Sequence, residues 1–596
     1  MSKVKVSDYI AKRLKEIYKI DNVFMVSGGG AMHLNDSLGR YIPYVCNHHE
    51  QACAMAAEGY ARVGQKLAVV NVTTGPGGLN CLNGVFGQWT DSVPVLYLSG
   101  QVKLSTTTAS CPEISLRQLG DQEVDIVKII SPLTKYSKMI TDPKEIKYHL
   151  DRAIHEATTG RFGPVWLDIP MDIQGAVIDE ADLIDFSAEQ ETENKKQEAD
   201  ISKIIEKLSS SKRPLIIAGH GIRLSKQEEI FYELLKKLNI PVVTTFNGFD
   251  LLDNNHPNYI GRIGTIGQRA GNFALQNADL VLCLGTRNNV RQVSYSWENF
   301  VKNAFKIVVD IDKAELDKPT LIPDLKIHAD LKDFLPALNS NLCKIQKTDW
   351  LNFCQNLKEK YSFENTKEYQ NNDDKINPYY FIHQLTKQMD ANDTCVATNG
   401  SACVCAFQVG EIKKGQRIFW NSGDASMGYD LPAAIGACIA SNKKNTICIA
   451  GDGSIMMNLQ ELQTIKHHNL PIKIFVLNND GYVSIKQTQK NFFQGHMTAS
   501  GRDSGVSFPD FAQIAKAFGI KSIKISECKN IEEQIEEVLK ADRPIICEVV
   551  IKSDYNFIPK LSAKKLEDGT IISPSLEDMF PFLDRAEYEE NMIEER

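Results

Sequence analysis

The 596-residue sequence contains no run of 18 or more apolar residues, the length a membrane-spanning helix requires. Its first segment, MSKVKVSDYIAKRLKEIYKI, lacks the apolar stretch of a secretory leader and reads as an amphipathic helix capped near Ser7. Positive charge is not in excess. Against 75 Asp and Glu there are 67 Lys and Arg, a formal net charge of −8, so nothing electrostatic points to nucleic acid or an anionic membrane as partner. The 14 cysteines never form a CxxC, and the CVC at 403–405 is too tight for a usual zinc pair; buried reduced thiols and a cytoplasmic location are expected. What remains is a core-forming composition, 43% hydrophobic and 24% charged. The length suits three or four domains at about 150 residues each.

Short apolar strands alternate with helical stretches, the pattern of parallel sheets covered on both faces. Strands are expected at 23–28, 67–73, 94–100 and 164–170; then at 214–221, 241–246, 279–287 and 306–312; then at 446–454, 473–480 and 544–551. Two polar stretches without apolar period, SAEQETENKKQEAD (187–200) and ENTKEYQNNDDKINP (364–378), read as linkers between these blocks. The expected fold is therefore α/β, three doubly wound parallel-sheet domains, followed by an acidic tail with no strand pattern. The repetition is of whole domains, with no short period.

The stretch GDGSIMMNLQELQTIKHHNLPIKIFVLNNDGY (451–482) sets an aspartate between two glycines after a strand and two asparagines at the next strand end. Ligands of open parallel sheets bind beyond the carboxyl ends of the strands. Gly451 and Gly453 permit a tight turn, and the helix start behind them offers N–H groups to an anion. Asp452 is placed to hold a hard cation that also touches phosphate oxygens, as Mg2+ usually is. Asn479, one strand further on, offers a second oxygen and the Gly481 carbonyl a third. A lone GDG is a common turn; the ordered set of strand, GDG, helix, strand, NN and glycine is far more specific.

That set resembles the thiamine diphosphate (ThDP) motif. CNHHEQACAMAAEGYAR (46–62) resembles the activating-glutamate segment of the same enzymes, and TTGPGGLNCLNGVFGQWTDSVPVLYLSGQV (73–102), GRFGPVWLDIPMD (160–172) and MGYDLPAAIGA (427–437) resemble the acetolactate synthase group along the whole chain. The resemblance implies a pyrimidine-binding domain at 1–180, a central domain at 190–345, a diphosphate-binding domain at 370–560 and a tail at 561–596. It implies a cofactor held between chains, hence a homodimer or homotetramer. Glu50 would promote the imino tautomer at the pyrimidine and Gln122 would lie near the reacting carbon. Thr73, Pro76, Asn80, Asn399, Gly400, Ser401, Ala402, Gly453, Ser454, Tyr482 and Val483 would complete the ThDP site. Ala425 would present its carbonyl to the 4′-amino group, and Met427 would hold the bent cofactor.

The central block raises the question of flavin. AGHG (218–221) follows a strand and can receive a pyrophosphate on backbone N–H groups. By resemblance, Arg161, Gly219, His220, Gly221, Arg287, Arg291, Asp310 and Asp330 fall on positions of an FAD site, structural because carboligation needs no redox step. Asn289 stands where the family has an acid, and GTIG replaces its Met-His pair. A flavin-free scaffold is the alternative.

Around the acceptor the sequence departs from acetolactate synthase. Thr488 takes the place of a tryptophan, Asp121 that of a phenylalanine, and GSA (400–402) that of Gly-Gln-His. These features, with TASGRDSGVSFPDF (498–511) and the C-terminal SPSLEDMFPFLDRAEYEENM, resemble carboligases of bacterial branched-chain deoxysugar (yersiniose-type) biosynthesis. The expected reaction is decarboxylation of pyruvate and transfer of the two-carbon unit to a nucleotide-linked keto-sugar, with Gly29, Gly30, Asp121 and Thr488 on the substrate side. Acetolactate synthesis is the alternative. A simple 2-oxo acid decarboxylase or a non-catalytic ThDP-binding protein stands behind both, the latter having no use for Glu50.

Overall fold

Three parallel six-stranded sheets organise the chain in the computed structural model, which describes residues 3–188, 197–371, 375–565 and 571–593. In the first sheet the strands lie in the order 44–46, 23–25, 68–72, 95–101, 165–170, 136–139. Numbered along the chain, this is 2-1-3-4-6-5. The third sheet repeats that order with strands 417–419, 394–397, 446–451, 472–478, 545–550 and 521–525. The central sheet differs: 259–262, 242–244, 214–218, 280–284, 305–310, 325–328, or 3-2-1-4-5-6. Each sheet is wound outward in both directions from its first strand, and the loops on either side of that reversal form a crevice. All three crevices carry candidate site residues.

The first and third sheets are joined through equivalent helices, Glu50–Gly64 and Asp430–Ala440, each following the second strand of its sheet. A Cβ on Gly59 would overlap the Ala433 carbonyl, and one on Gly436 would overlap the Ala56 carbonyl, so the helices touch backbone to backbone. Their apolar faces merge into one buried core that includes Met55, Tyr60, Leu431 and Ile435. Beside it lies a charged knot: Arg62 binds Glu58 (2.9 Å) and Asp91 (2.7 Å), all three buried. Asp91 also accepts the backbone N–H groups of Ser422 (2.8 Å) and Gly423 (3.1 Å), tying the first sheet to the loop before Ala425.

Three expectations are corrected. Ser7 lies inside the helix Val6–Glu16 rather than at its cap, because strand Lys3–Lys5, paired with Val177–Asp179, runs directly into it; Ser7 is buried and accepts a hydrogen bond from Ser37. The first linker is shorter than read. Residues 189–196 lie outside the described residues, and the helix Gln197–Ser210 covers its last positions. The tail does hold a short antiparallel pair, Lys564–Lys565 with Ile571–Ile572, and a helix, Arg585–Glu590. It straps onto the central domain, where Asn272 donates to the Leu576 carbonyl (3.0 Å) and Asn277 to that of Asn591 (2.8 Å).

Candidate active site

The crevice of the first sheet gathers the pyrimidine-side residues. Gly29–Ala31 forms a turn after strand 23–25, and the Gly30 N–H donates to Thr73 Oγ1 (3.0 Å). Thr73 leads into Gly75, whose φ of +61° and contact with the Gln122 carbonyl exclude a side chain. Gln122 itself holds φ +62°, a conformation sparsely used by non-glycine residues and often kept at functional sites. Pro76 opens the helix Pro76–Asn80, and Asn80 Nδ2 donates to Glu50 Oε2 (3.0 Å). Glu50 is the first residue of its helix, where a carboxylate is favoured by the dipole. A Cβ on Gly77 would meet Thr73 Cγ2 at 2.9 Å and lie 3.7 Å from Glu50 Oε1. Glu50, Gln122, Thr73, Pro76, Asn80 and Gly30 thus meet in one crevice.

The crevice of the third sheet gathers the diphosphate side. Asp452, only 2% exposed, accepts the backbone N–H groups of Gly453 (2.7 Å), Asn479 (3.0 Å) and Gly481 (3.3 Å). Burial pushes its carboxyl up to about 6, against those donors. A carboxylate so desolvated favours an incoming cation. The decisive detail is Asn479 Oδ1, buried with no hydrogen-bond partner. Such an atom is costly to leave unpaired. A divalent ion between Asp452, Asn479 and the Gly481 carbonyl would satisfy both groups, so the residues present fit the metal. Among the described residues no cluster of three His, Cys, Asp or Glu that could hold a metal ion is found.

Around that turn, Asn399 Nδ2 donates to the Ala425 carbonyl (2.7 Å), and Ala425 holds φ +57°. Gly400 faces open space ahead of the helix Ser401–Val409, in which Ala402 is buried. The Ser454 hydroxyl donates to the buried Asp430 (2.6 Å) and accepts the Gly428 N–H (2.9 Å), fixing the loop that carries Met427. Tyr482 packs its ring on Gly453, and Val483 begins the helix Val483–Phe492. Sequence reasoning missed Tyr555, whose hydroxyl touches Ser401 Oγ and interacts with Asn479. It sits just past the strand Ile545–Val550, in a segment with no motif to signal it. Thr488 and Asp121 are both exposed on different domains, with no contact joining them; the Thr488 hydroxyl bonds back to its own helix at the Ser484 carbonyl (3.1 Å).

The third crevice, in the central sheet, opens into a cleft lined by residues of all three domains. Arg161, His220, Gly221, Arg287, Arg291, Asp310 and Asp330 line it; Gly219 is packed behind them against Gly285. His220 Nδ1 is buried without a partner, a group suited to a polar ligand. Arg161 is already engaged by Asp312 and Glu315, both at 2.8 Å.

Comparison with known proteins bears on the whole chain. Residues 4–129, 201–338 and 398–549 match the N-terminal TPP binding, central and C-terminal TPP binding domains of thiamine pyrophosphate enzymes. The acetolactate synthase large subunit of Lactococcus lactis is 32% identical over 569 residues, 95% of this chain and 96% of the relative. This chain belongs to the thiamine pyrophosphate enzyme family. Within it, acetolactate synthase isozyme 2 large subunit of Escherichia coli is 32% identical over 91% of the chain and 94% of the relative, and the large subunit of Cyanidium caldarium 31% over 92% and 93%. The protein is accordingly a thiamine pyrophosphate-dependent enzyme of the decarboxylase and carboligase kind. No described helix is long and apolar enough to cross a membrane.

Proposed function

We propose that this thiamine pyrophosphate enzyme is a Mg2+-dependent carboligase that decarboxylates pyruvate and joins the two-carbon unit to a second 2-oxo acid, as an acetolactate synthase does. The observation that carries the ThDP-Mg2+ part is the buried, unpartnered Asn479 Oδ1 beside Asp452. The choice of acceptor follows the relatives, which are named acetolactate synthase large subunits along nearly their full length. Bound ThDP supplies the electron sink for carbanion chemistry. The chain does the rest. Asp452, Asn479 and the Gly481 carbonyl would hold the ion, Glu50 would hold a proton at the pyrimidine, the Ala425 carbonyl and Met427 would orient the cofactor, and Gln122 would lie on the side of the reacting carbon. Leu79, Phe86, Met456 and Met457 are exposed beside the two half-sites, which supports a homodimer or homotetramer with the cofactor between chains.

A second reading, a nucleotide-linked keto-sugar as acceptor in the yersiniose manner, is favoured by one observation: Thr488 and Asp121 are polar and exposed where acetolactate synthases carry aromatics. Mass spectrometry of products from pyruvate, alone and with a panel of nucleotide keto-sugars, separates the two. Acetolactate under both conditions supports the first reading. A branched sugar formed at acetolactate's expense overturns it. FAD in the central cleft is part of the proposal as a structural group; purified protein is then yellow, and a colourless, fully active preparation removes it.

A further inference from the structure

The residues that set up Glu50 extend beyond its own crevice. Glu461, in the helix Glu461–His467 of the third sheet's domain, is fully buried and forms no ion pair among the described residues. Its carboxylate reaches across to the segment immediately before Glu50. Oε2 accepts from Asn47 Nδ2 (2.8 Å) and Oε1 from the His48 backbone N–H (2.8 Å), with Thr464 Oγ1 as a third donor (2.7 Å). Three residues earlier, the fully buried Asn458 donates from Nδ2 to Gln51 Oε1 (3.1 Å) and to the Gly428 carbonyl (2.8 Å). Positions 47, 48 and 51 therefore bracket Glu50 and are held by one short segment. That segment starts at Asp452, the metal turn, and its middle residue also holds the loop after Met427.

A buried carboxylate without a cation carries a large desolvation cost, and an apolar side chain fills such a space more cheaply. What an apolar side chain cannot do is accept hydrogen bonds from two consecutive residues and so fix the direction in which the next helix starts. Glu50 is the first residue of that helix. We propose that Glu461 is a positioning residue for Glu50, a clamp through which the segment behind the metal turn sets the orientation of the activating carboxylate. This rests on the reading of Glu50 given above.

The clamp makes a specific demand on donors and acceptors. In Glu461→Gln one acceptor oxygen becomes a donor, and Asn47 keeps a bond there only by turning its amide over, which leaves Nδ2 buried where its unpartnered Oδ1 now lies. Adding Asn47→Asp restores an acceptor there. The first measurement is on the protein without cofactor: hydrogen–deuterium exchange of the peptide spanning 44–52. Its protection should fall about 10-fold in Glu461→Gln and return in the double variant, the change in local opening expected from the loss of about one hydrogen bond. The second uses ThDP and Mg2+. The exchange rate of the cofactor's C2 proton should fall by a similar factor while cofactor content after desalting stays near wild type, and the double variant should recover it. Asn47→Ala, a milder change, should give a smaller loss in both readouts and serves if Glu461→Gln folds poorly. Glu50→Gln is the control. Slow C2 exchange in that control with unchanged exchange and protection in Glu461→Gln overturns the clamp alone. Unchanged exchange in the control overturns the role of Glu50, and the clamp with it. A defect in Glu461→Gln that Asn47→Asp does not repair also overturns the proposal, because the effect is then not carried by this hydrogen bond.

Discussion

The first and third sheets share the strand order 2-1-3-4-6-5 and the same crevice beside the first strand, yet they hold opposite chemistry. After its third strand, the first sheet places Thr73, Gly75 and Pro76; the third sheet places Asp452 and Gly453. After the second strand, one presents Glu50 and the other Ala425 and Met427. The following helices pack on each other through Gly59 and Gly436 in near-symmetric fashion. One scaffold used twice therefore carries a carboxylate proposed to handle a proton in one copy and a turn proposed to hold a metal in the other. The fold supplies the crevice; the few residues at the strand ends decide what enters it. The central sheet, with its different order, has its own crevice and no part in either half-site.

That division of labour can be broken one half at a time. The largest effect is expected from Asp452→Ala, which removes the carboxylate proposed to hold the metal. ThDP and Mg2+ should be lost on desalting while the circular dichroism spectrum is kept; wild-type occupancy would refute the assignment of the turn. Glu50→Gln should act only on the first half. Cofactor content survives, and turnover falls by about 10²–10⁴-fold, the usual worth of acid–base assistance. If binding is lost as well, the two halves are not functionally separate. Gly436→Ala strikes the mating of the two helices, since its Cβ would overlap the Ala56 carbonyl. A loss of up to about 3 kcal/mol in denaturant unfolding is expected from such overpacking.

The smallest effect probes a pair of equivalent acids. Asp168 and Glu548 occupy the same fourth place in the sixth strand of their sheets. Glu548 has Lys524 at 3.2 Å; among the described residues Asp168 accepts from Ser99 (2.5 Å) and the Gln101 amide (3.0 Å) and forms no ion pair. Burial pushes the Asp168 carboxyl up to about 7, against roughly 3.9 for a free aspartate. Between those values the folded state keeps a proton that the unfolded chain releases, so this group's contribution to stability falls as pH rises through that window. Asp168→Asn removes the dependence. Going from about pH 5 to pH 8, the variant should lose on the order of 1 kcal/mol less stability than wild type in urea titrations. Parallel loss in both proteins would mean that Asp168 is ionised throughout.

Much of this was legible in the residues, and the boundary is physical. Every interior strand of the first and central sheets was read from its apolar run, as at 68–72 and 280–284, because a strand buried on both faces is nearly continuous in hydrophobic residues. The unread strands are mostly at sheet edges, such as Tyr44–Cys46, Leu325–His328 and Lys521–Ile525, where exposure breaks the run. Thr394–Ala397 is interior but only four residues long. Asp452 and Asn479 could be named together because turn chemistry and spacing are sequence properties, whereas Glu50 was named through the family resemblance of its segment.

The sequence by itself determined the α/β pattern, the three blocks and the identity of the chemical groups at each strand end, since periodicity and turn residues are local. Tertiary structure alone decided which groups meet across the chain. Glu461 lies 413 positions from His48 and still accepts its N–H, and Tyr555 reaches Ser401 from 154 positions away. Such contacts depend on how three sheets stack and where two helices touch at glycine, and no spacing along the chain encodes the distance between surfaces that only packing brings together.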